Sequence, residues 1–89
     1  MRLDKFLKIT QLIKRRTVAK EAATEKIIIV NGHIAKPSVQ LKAGDTIEID
    51  MWNYNKKVRI TRLPATNSIP KGEVGEYIEV LGYKSKNNL

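Results

Sequence analysis

The side chains with the clearest chemical potential in this chain are the cations of its first 26 residues, MRLDKFLKITQLIKRRTVAKEAATEK. This segment carries eight lysines and arginines against three acids, and it holds three of the five arginines in the protein. Arginine can grip a phosphate through two parallel N–H donors, whereas lysine acts as a point charge. A compact surface of one sign in so small a protein predicts a nucleic-acid backbone as the partner.

The remaining side chains argue against catalysis. The chain has one histidine, His33, and no cysteine, which excludes a Cys/His pair, a multi-histidine metal site and a disulfide. His33 directly follows a predicted turn and is expected to be exposed. Asp45 belongs to another predicted turn, and Glu48 and Asp50 alternate with isoleucines on an exposed strand face. The glycines are too scattered for a phosphate-binding loop. We therefore predict no enzyme, no metal and no cofactor.

Length and charge limit the partners that are possible. A chain of 89 residues forms one small domain without room for a large enclosed cavity. Its net charge of +8 favours polyanions. No apolar run approaches the roughly 20 residues that a membrane span needs, and the first residues lack the pattern of a secretory signal. We expect a soluble protein of the cytoplasm with no membrane partner.

The basic segment is predicted to fold as a helical hairpin. The first helix should run from about Leu3 to Thr10, with Leu3, Phe6 and Leu7 on one apolar arc and Asp4 on the opposite, polar arc. The second helix should run from about Arg16 to Glu25. Three alanines on its inward stripe would let it pack closely against the first helix.

The rest of the chain is predicted to form strands. Ile27–Val30 is a β-branched run, and the Asn31-Gly32 pair that follows it is typical of a type I′ hairpin turn. Ile47 and Ile49 point inward in a strand that follows the turn Ala43-Gly44-Asp45. The other predicted elements are strands at His33–Ala35, Thr46–Asp50, Val58–Leu63 and Tyr77–Leu81, a hairpin around Asn53–Lys56, and a loop at Pro64–Gly75. Residues 1–83 would form the single domain, with a flexible tail at 84–89.

Several short motifs in this order resemble one known family. They are Arg2-Leu3-Asp4-Lys5-Phe6-Leu7, Arg16 with Ala19, Ile29-Val30-Asn31-Gly32, and Gly44-Asp45. This pattern is similar to the RNA-binding domain named after ribosomal protein S-four. The match covers about residues 1–50, in the right order and spacing.

The resemblance implies an α+β fold in which an N-terminal helical hairpin packs on a small antiparallel β-sheet and presents its cations to folded RNA. The implied RNA-binding residues are Arg2, Lys5, Lys8, Arg15, Arg16 and Lys20. Asp4 would orient a neighbouring arginine, Arg2 or Arg16. Lys56 and Lys57, at the predicted hairpin tip, could form a second RNA surface. Trp52, Tyr54, Tyr77 and Tyr83 could stack on bases, although such rings more often fill a small core.

Without an attached catalytic domain, the chain most resembles the small heat-shock-type members that bind large ribosomal subunits still holding peptidyl-tRNA. This resemblance implies a ribosome-associated quality-control factor. It would bind ribosomal RNA of the large subunit and tRNA as a monomer. It would support a tail-synthesis quality-control protein that extends stalled nascent chains at their C-terminus.

Three alternatives stay open on the sequence. The protein could be an assembly or rescue factor on free large subunits. It could be a DNA-binding regulator, since two short helices with a basic second one resemble a helix-turn-helix. It could also be an accessory subunit of an RNA-modifying enzyme, which co-purification with a catalytic partner would reveal.

Overall fold

The computed structural model of the protein describes residues 1–13, 27–52 and 54–86. The elements within these residues are α1 (Leu3–Ile9), β1 (Ile28–Val30), β2 (His33–Ile34), β3 (Thr46–Asp50), β4 (Tyr54–Ile60), a 3₁₀ helix (Lys71–Glu76) and β5 (Ile78–Ser85). The predicted second helix, about Arg16–Glu25, lies outside the described residues. The helical hairpin therefore stays a prediction.

The strands form one antiparallel sheet in the order β2-β1-β3-β4-β5. This confirms the predicted small antiparallel sheet. The turn between β1 and β2 has φ values of 51° at Asn31 and 82° at Gly32, the two positive angles that a type I′ turn requires. His33 is exposed immediately after this turn, as predicted.

The sheet has a core face and an outer face because successive side chains of a strand point to opposite sides. Ile47 and Ile49 of β3 lie on the core face and are fully buried. The core face is completed by Ile28, Val30, Val58 and Ile60, and the apolar arc of α1, Leu3, Phe6 and Leu7, belongs to the same buried cluster. The outer face carries Glu48 opposite Lys57.

The first turn of α1 is attached to the segment 37–41. The Leu3 amide donates to the Val39 carbonyl at 2.9 Å, and the Asp4 amide donates to the Pro37 carbonyl at 3.2 Å. At its other end the helix closes through Gln11, which has a φ of 60°, and Ile13 then returns to the core. The helix is thus fixed at both ends, and its cations are carried on a rigid element.

The part of the sheet that β4 and β5 form is longer than the sequence predicted. β4 begins at Tyr54 because Tyr54 packs against the core, while β5 supplies hydrogen-bond partners along the whole strand. Lys56 and Lys57 therefore lie within a strand, and their predicted place at a hairpin tip is wrong. Part of the predicted 64–75 loop forms the 3₁₀ helix.

The end of β5 also changes the predicted tail. Lys84 and Ser85 pair with β4, and Lys86 makes an ion pair with Asp50. The first three residues assigned to a flexible tail are therefore ordered against β3 and β4, and residues 87–89 lie outside the described part of the chain.

Two motifs of the family pattern meet in space. The side-chain NH₂ of Asn31 donates to the Asp45 carboxylate at 3.0 Å, and the side-chain oxygen of Asn31 accepts from the backbone N–H of Thr46 at 2.9 Å. The other carboxylate oxygen of Asp45 accepts from the Lys42 amide at 3.0 Å. Asp45 is buried. The Asn-Gly and Gly-Asp motifs thus hold two turns together and have a structural role.

We expect Asp45→Ala to lower the free energy of unfolding by about 2–3 kcal/mol, since hydrogen bonds to a charged group each contribute about 1.5–3 kcal/mol and the substitution removes those from the Asn31 side chain and the Lys42 amide. Urea unfolding followed by circular dichroism measures this. Asp45→Asn, which keeps the shape and an acceptor, should lose less. Equal stability of the alanine variant and the wild type would show that the turn network is dispensable.

Candidate nucleic-acid interface

The Arg2 side chain is held by Asp4 at the start of α1. Its Nε donates to Oδ1 of Asp4 at 3.1 Å, and its Nη2 donates to Oδ2 at 3.2 Å. This two-pronged contact uses two of the five N–H donors of the guanidinium. The Arg2 side chain is still 44% exposed, so the group is oriented but accessible.

Asp4 itself is buried, with 1% of its surface exposed. Besides Arg2, its Oδ1 accepts the Lys5 amide at 2.9 Å, in the first turn of the helix, where the dipole favours a negative charge. The prediction that Asp4 lies on the exposed polar arc is therefore wrong. The segment 37–41 packs against this turn and removes that part of the arc from solvent.

Lys5 and Lys8 follow Arg2 along α1, three residues apart and therefore on neighbouring positions of one helix face. Both line a shallow cleft whose other sides are Ile9 and Asn67. Lys8 is exposed and Lys5 is half-buried. The structure places three predicted RNA-binding cations, Arg2, Lys5 and Lys8, on the same short helical segment.

Asn67 is a candidate polar contact that the sequence did not suggest. It lies about sixty positions from the lysines with which it shares the cleft, within a stretch predicted only as a loop. An asparagine in a loop is ordinary, so no local signal could have identified it. Its amide could donate to a phosphate or accept from a 2′-hydroxyl.

Arg15, Arg16 and Lys20 lie outside the described residues, so their predicted RNA-binding role is unchanged. Lys56 and Lys57 are described, and as adjacent residues of β4 they point to opposite faces of the sheet. They do not form one surface together.

The cations of the outer face are neighbours of acids. Arg59 makes an ion pair with Glu79, and Lys57 lies opposite Glu48. The hydrogen bond from Lys86, and then that from Asn55, lowers the pKa of Asp50. Since positive and negative groups alternate there, the outer face is a poorer match for a polyanion than α1.

Within the described residues, no helix is long and apolar enough to cross a membrane. Nor do the His, Asp and Glu side chains in these parts of the chain form a group of three that could hold a metal ion.

The fold is a helix packed on an antiparallel sheet around a buried core. An arginine held by a buried carboxylate and two lysines lie at the first helix, and together they define a small nucleic-acid-binding domain. Residues 1–47 match the S4 domain family, the same family that is named after ribosomal protein S-four.

The relatives of this chain include proteins named RQC P-site tRNA stabilizing factor. The one from Streptococcus pneumoniae is 43% identical over 81 residues, which is 91% of this chain and 90% of the relative. The one from Listeria monocytogenes is 59% identical over 63 residues, 71% of this chain and 68% of the relative. A trimeric structure of Vibrio cholerae heat shock protein 15 has the same fold. It matches with a TM-score of 0.80 at 23% identity, over 90% of this chain and 80% of that one.

The chain therefore belongs to the S4 domain family and, within it, to the RQC P-site tRNA stabilizing factors (RqcP). The resemblance read from the N-terminal motifs is confirmed. The fold class is confirmed for the α+β architecture and the antiparallel sheet.

Proposed function

We propose that this protein is a ribosome-associated quality-control factor that binds ribosomal RNA of the large subunit together with peptidyl-tRNA. By holding the tRNA it would support a tail-synthesis partner that extends stalled nascent chains. The observation that carries the proposal is the Arg2 guanidinium, held by buried Asp4 at the start of the S4 domain with Lys5 and Lys8 beside it. The name of the relatives, which refers to P-site tRNA, supports the choice of RNA.

The proposed mechanism is recognition without bond making or breaking. The contact with Asp4 restricts the rotamers of Arg2 before RNA arrives, so less side-chain entropy is lost on binding. The donors that Asp4 does not use can meet a phosphate in the planar geometry that arginine prefers. Lys5 and Lys8 would add charge along the same backbone, and each phosphate contact releases counterions.

Three of the predicted RNA-binding cations, Arg15, Arg16 and Lys20, lie outside the described residues. A second helix carrying Arg15, Arg16 and Lys20 would form a hairpin with α1 and extend the cationic surface. The protein would act as a monomer in the bacterial cytoplasm, without an enzymatic activity of its own. The large subunit, tRNA and the tail-synthesis protein would be its partners.

Sedimentation of a tagged protein through a density gradient tests this function. We expect it to travel with large subunits, and to be enriched on those that carry peptidyl-tRNA. Equal enrichment on empty large subunits would favour an assembly or rescue factor instead. Absence from every ribosomal fraction would contradict the proposed function.

A further inference from the structure

The end of the sheet formed by β4 and β5 carries an aromatic pair that the proposed function does not use. The rings of Tyr54 and Tyr83 are stacked, with centroids 5.9 Å apart and an angle of 20° between their planes. Tyr54 packs against the core, whereas Tyr83 is 63% exposed. The pair therefore has an anchored inner ring and an accessible outer ring.

Lys56 lies beside this pair on the same face. It is the direct cross-strand neighbour of Tyr83, and paired residues of an antiparallel ladder point to the same side. Its neighbour on the other strand is Ile49, a core residue, which confirms that Lys56 and Tyr83 are on the core face. The arrangement places a cation next to an exposed ring, and we call Tyr54, Tyr83 and Lys56 the aromatic platform.

The charge around the platform has one sign. Within the described strands the carboxylates are those of Glu48, Asp50 and Glu79, and their register places all three on the outer face. The core face at this end offers the two tyrosine rings and the Lys56 ammonium to a ligand. A planar apolar surface with an adjacent cation, on a face where the described strands place no carboxylate, complements a base joined to a phosphate.

The single tryptophan adds to the same end of the molecule. Trp52 lies in the connection between β3 and β4, two residues before Tyr54, and is 87% exposed. Exposed apolar side chains mark an interaction site only where they are grouped, so Trp52 matters here through its proximity in the chain to the tyrosine pair. Burial raises the pKa of Tyr54, with a smaller contribution from Tyr83, so the inner phenol stays neutral and adds no negative charge.

We infer that the aromatic platform is a second RNA contact, on which an unpaired base stacks against Tyr83 while its phosphate meets Lys56. This inference deepens the proposed function and rests on it for the choice of RNA. It also revises the earlier second-surface prediction, because Lys56 takes part and Lys57, on the outer face, does not.

The test measures binding of a labelled single-stranded oligoadenylate and of a labelled RNA duplex by fluorescence anisotropy at fixed salt. We expect Tyr83→Ala to weaken single-strand binding by about 5- to 160-fold, the range for removing one stacking ring, and to leave duplex binding unchanged. Tyr83→Phe keeps the ring and should bind like the wild type. Because Tyr83 is exposed, these variants should fold, which circular dichroism checks.

Lys56→Ala and Lys57→Ala form a matched pair that removes the same charge from opposite faces. Lys56→Ala should lower the log–log salt slope of single-strand binding by about 0.7 units, the value for one phosphate contact on a single strand, and Lys57→Ala should leave the slope unchanged. Equal effects of Lys56→Ala and Lys57→Ala would overturn the proposal that RNA contacts the core face and not the outer face. Wild-type affinity in Tyr83→Ala, or an equal loss of affinity for both RNA probes, would overturn the platform.

The oligonucleotide assay contains no ribosomes, so it separates the two proposals. If the protein fails to sediment with large subunits but Tyr83→Ala still weakens single-strand binding, the proposed function fails and the platform stands. If it sediments as expected but Tyr83→Ala binds normally, the platform alone fails.

Discussion

Replacing Arg2 with alanine is expected to abolish stable association with large ribosomal subunits while the chain still folds. The Arg2 side chain is 44% exposed, and Asp4 holds its guanidinium in a fixed orientation, so the substitution would remove the proposed phosphate contact. The log–log salt slope of binding should fall by about one unit for the lost contact. Sedimentation and equilibrium binding over a range of salt concentrations measure both effects.

Two further variants isolate the role of the guanidinium. Arg2→Lys keeps the charge but not the planar pair of donors, so its affinity should lie between wild type and Arg2→Ala. Lys71→Ala removes the same charge from the exposed 3₁₀ helix and should bind like the wild type. Arg2→Ala that binds with unchanged affinity and slope would show that this surface does not contact RNA. The same loss of association is predicted for Arg16→Ala.

Replacing Asp4 with asparagine is expected to weaken ribosome binding even though it raises the net charge. An asparagine can still accept the Lys5 amide, but its NH₂ group would face the Arg2 donors and the two-pronged contact would be lost. A hydrogen bond to a charged group contributes about 1.5–3 kcal/mol, so we expect affinity to fall by about tenfold or more, together with a loss of stability of similar size. Binding to large subunits and urea unfolding measure the two effects.

Asp50→Asn is the matched control, because it makes the same change of charge at a half-exposed position on the outer face. By charge counting alone both variants should bind RNA slightly more tightly than the wild type. Asp4→Asn that binds as tightly as Asp50→Asn would refute the orienting role. Asp4→Arg would be a poor test, since an arginine at a position that is 1% exposed would disturb the fold itself.

Local patterns in the chain were enough to predict the first helix, the approximate positions of the described strands and the location of the first cations. Alternating isoleucines at 47 and 49 indicated a strand with one buried face, and Asn31-Gly32 indicated a turn with two positive φ angles. The arc of Leu3, Phe6 and Leu7 identified the buried side of α1. Such patterns succeed because the period of a strand or helix and the φ preference of a turn residue depend on neighbours within a few positions.

Other features depend on contacts between segments far apart in the chain. Asp4 is buried because residues 37–41 pack on the first turn of α1. Asn67, from a loop far along the chain, lines the same cleft as Lys5 and Lys8. β4 extends along β5 through Lys56 and Lys57, so these two adjacent lysines point to opposite faces of the sheet. The same pairing of β4 with β5 stacks Tyr83 on Tyr54. Helical and strand periodicity states which way a side chain points, but only the packed chain determines which distant segment covers it, and that coverage decides whether a charge is exposed, paired or buried.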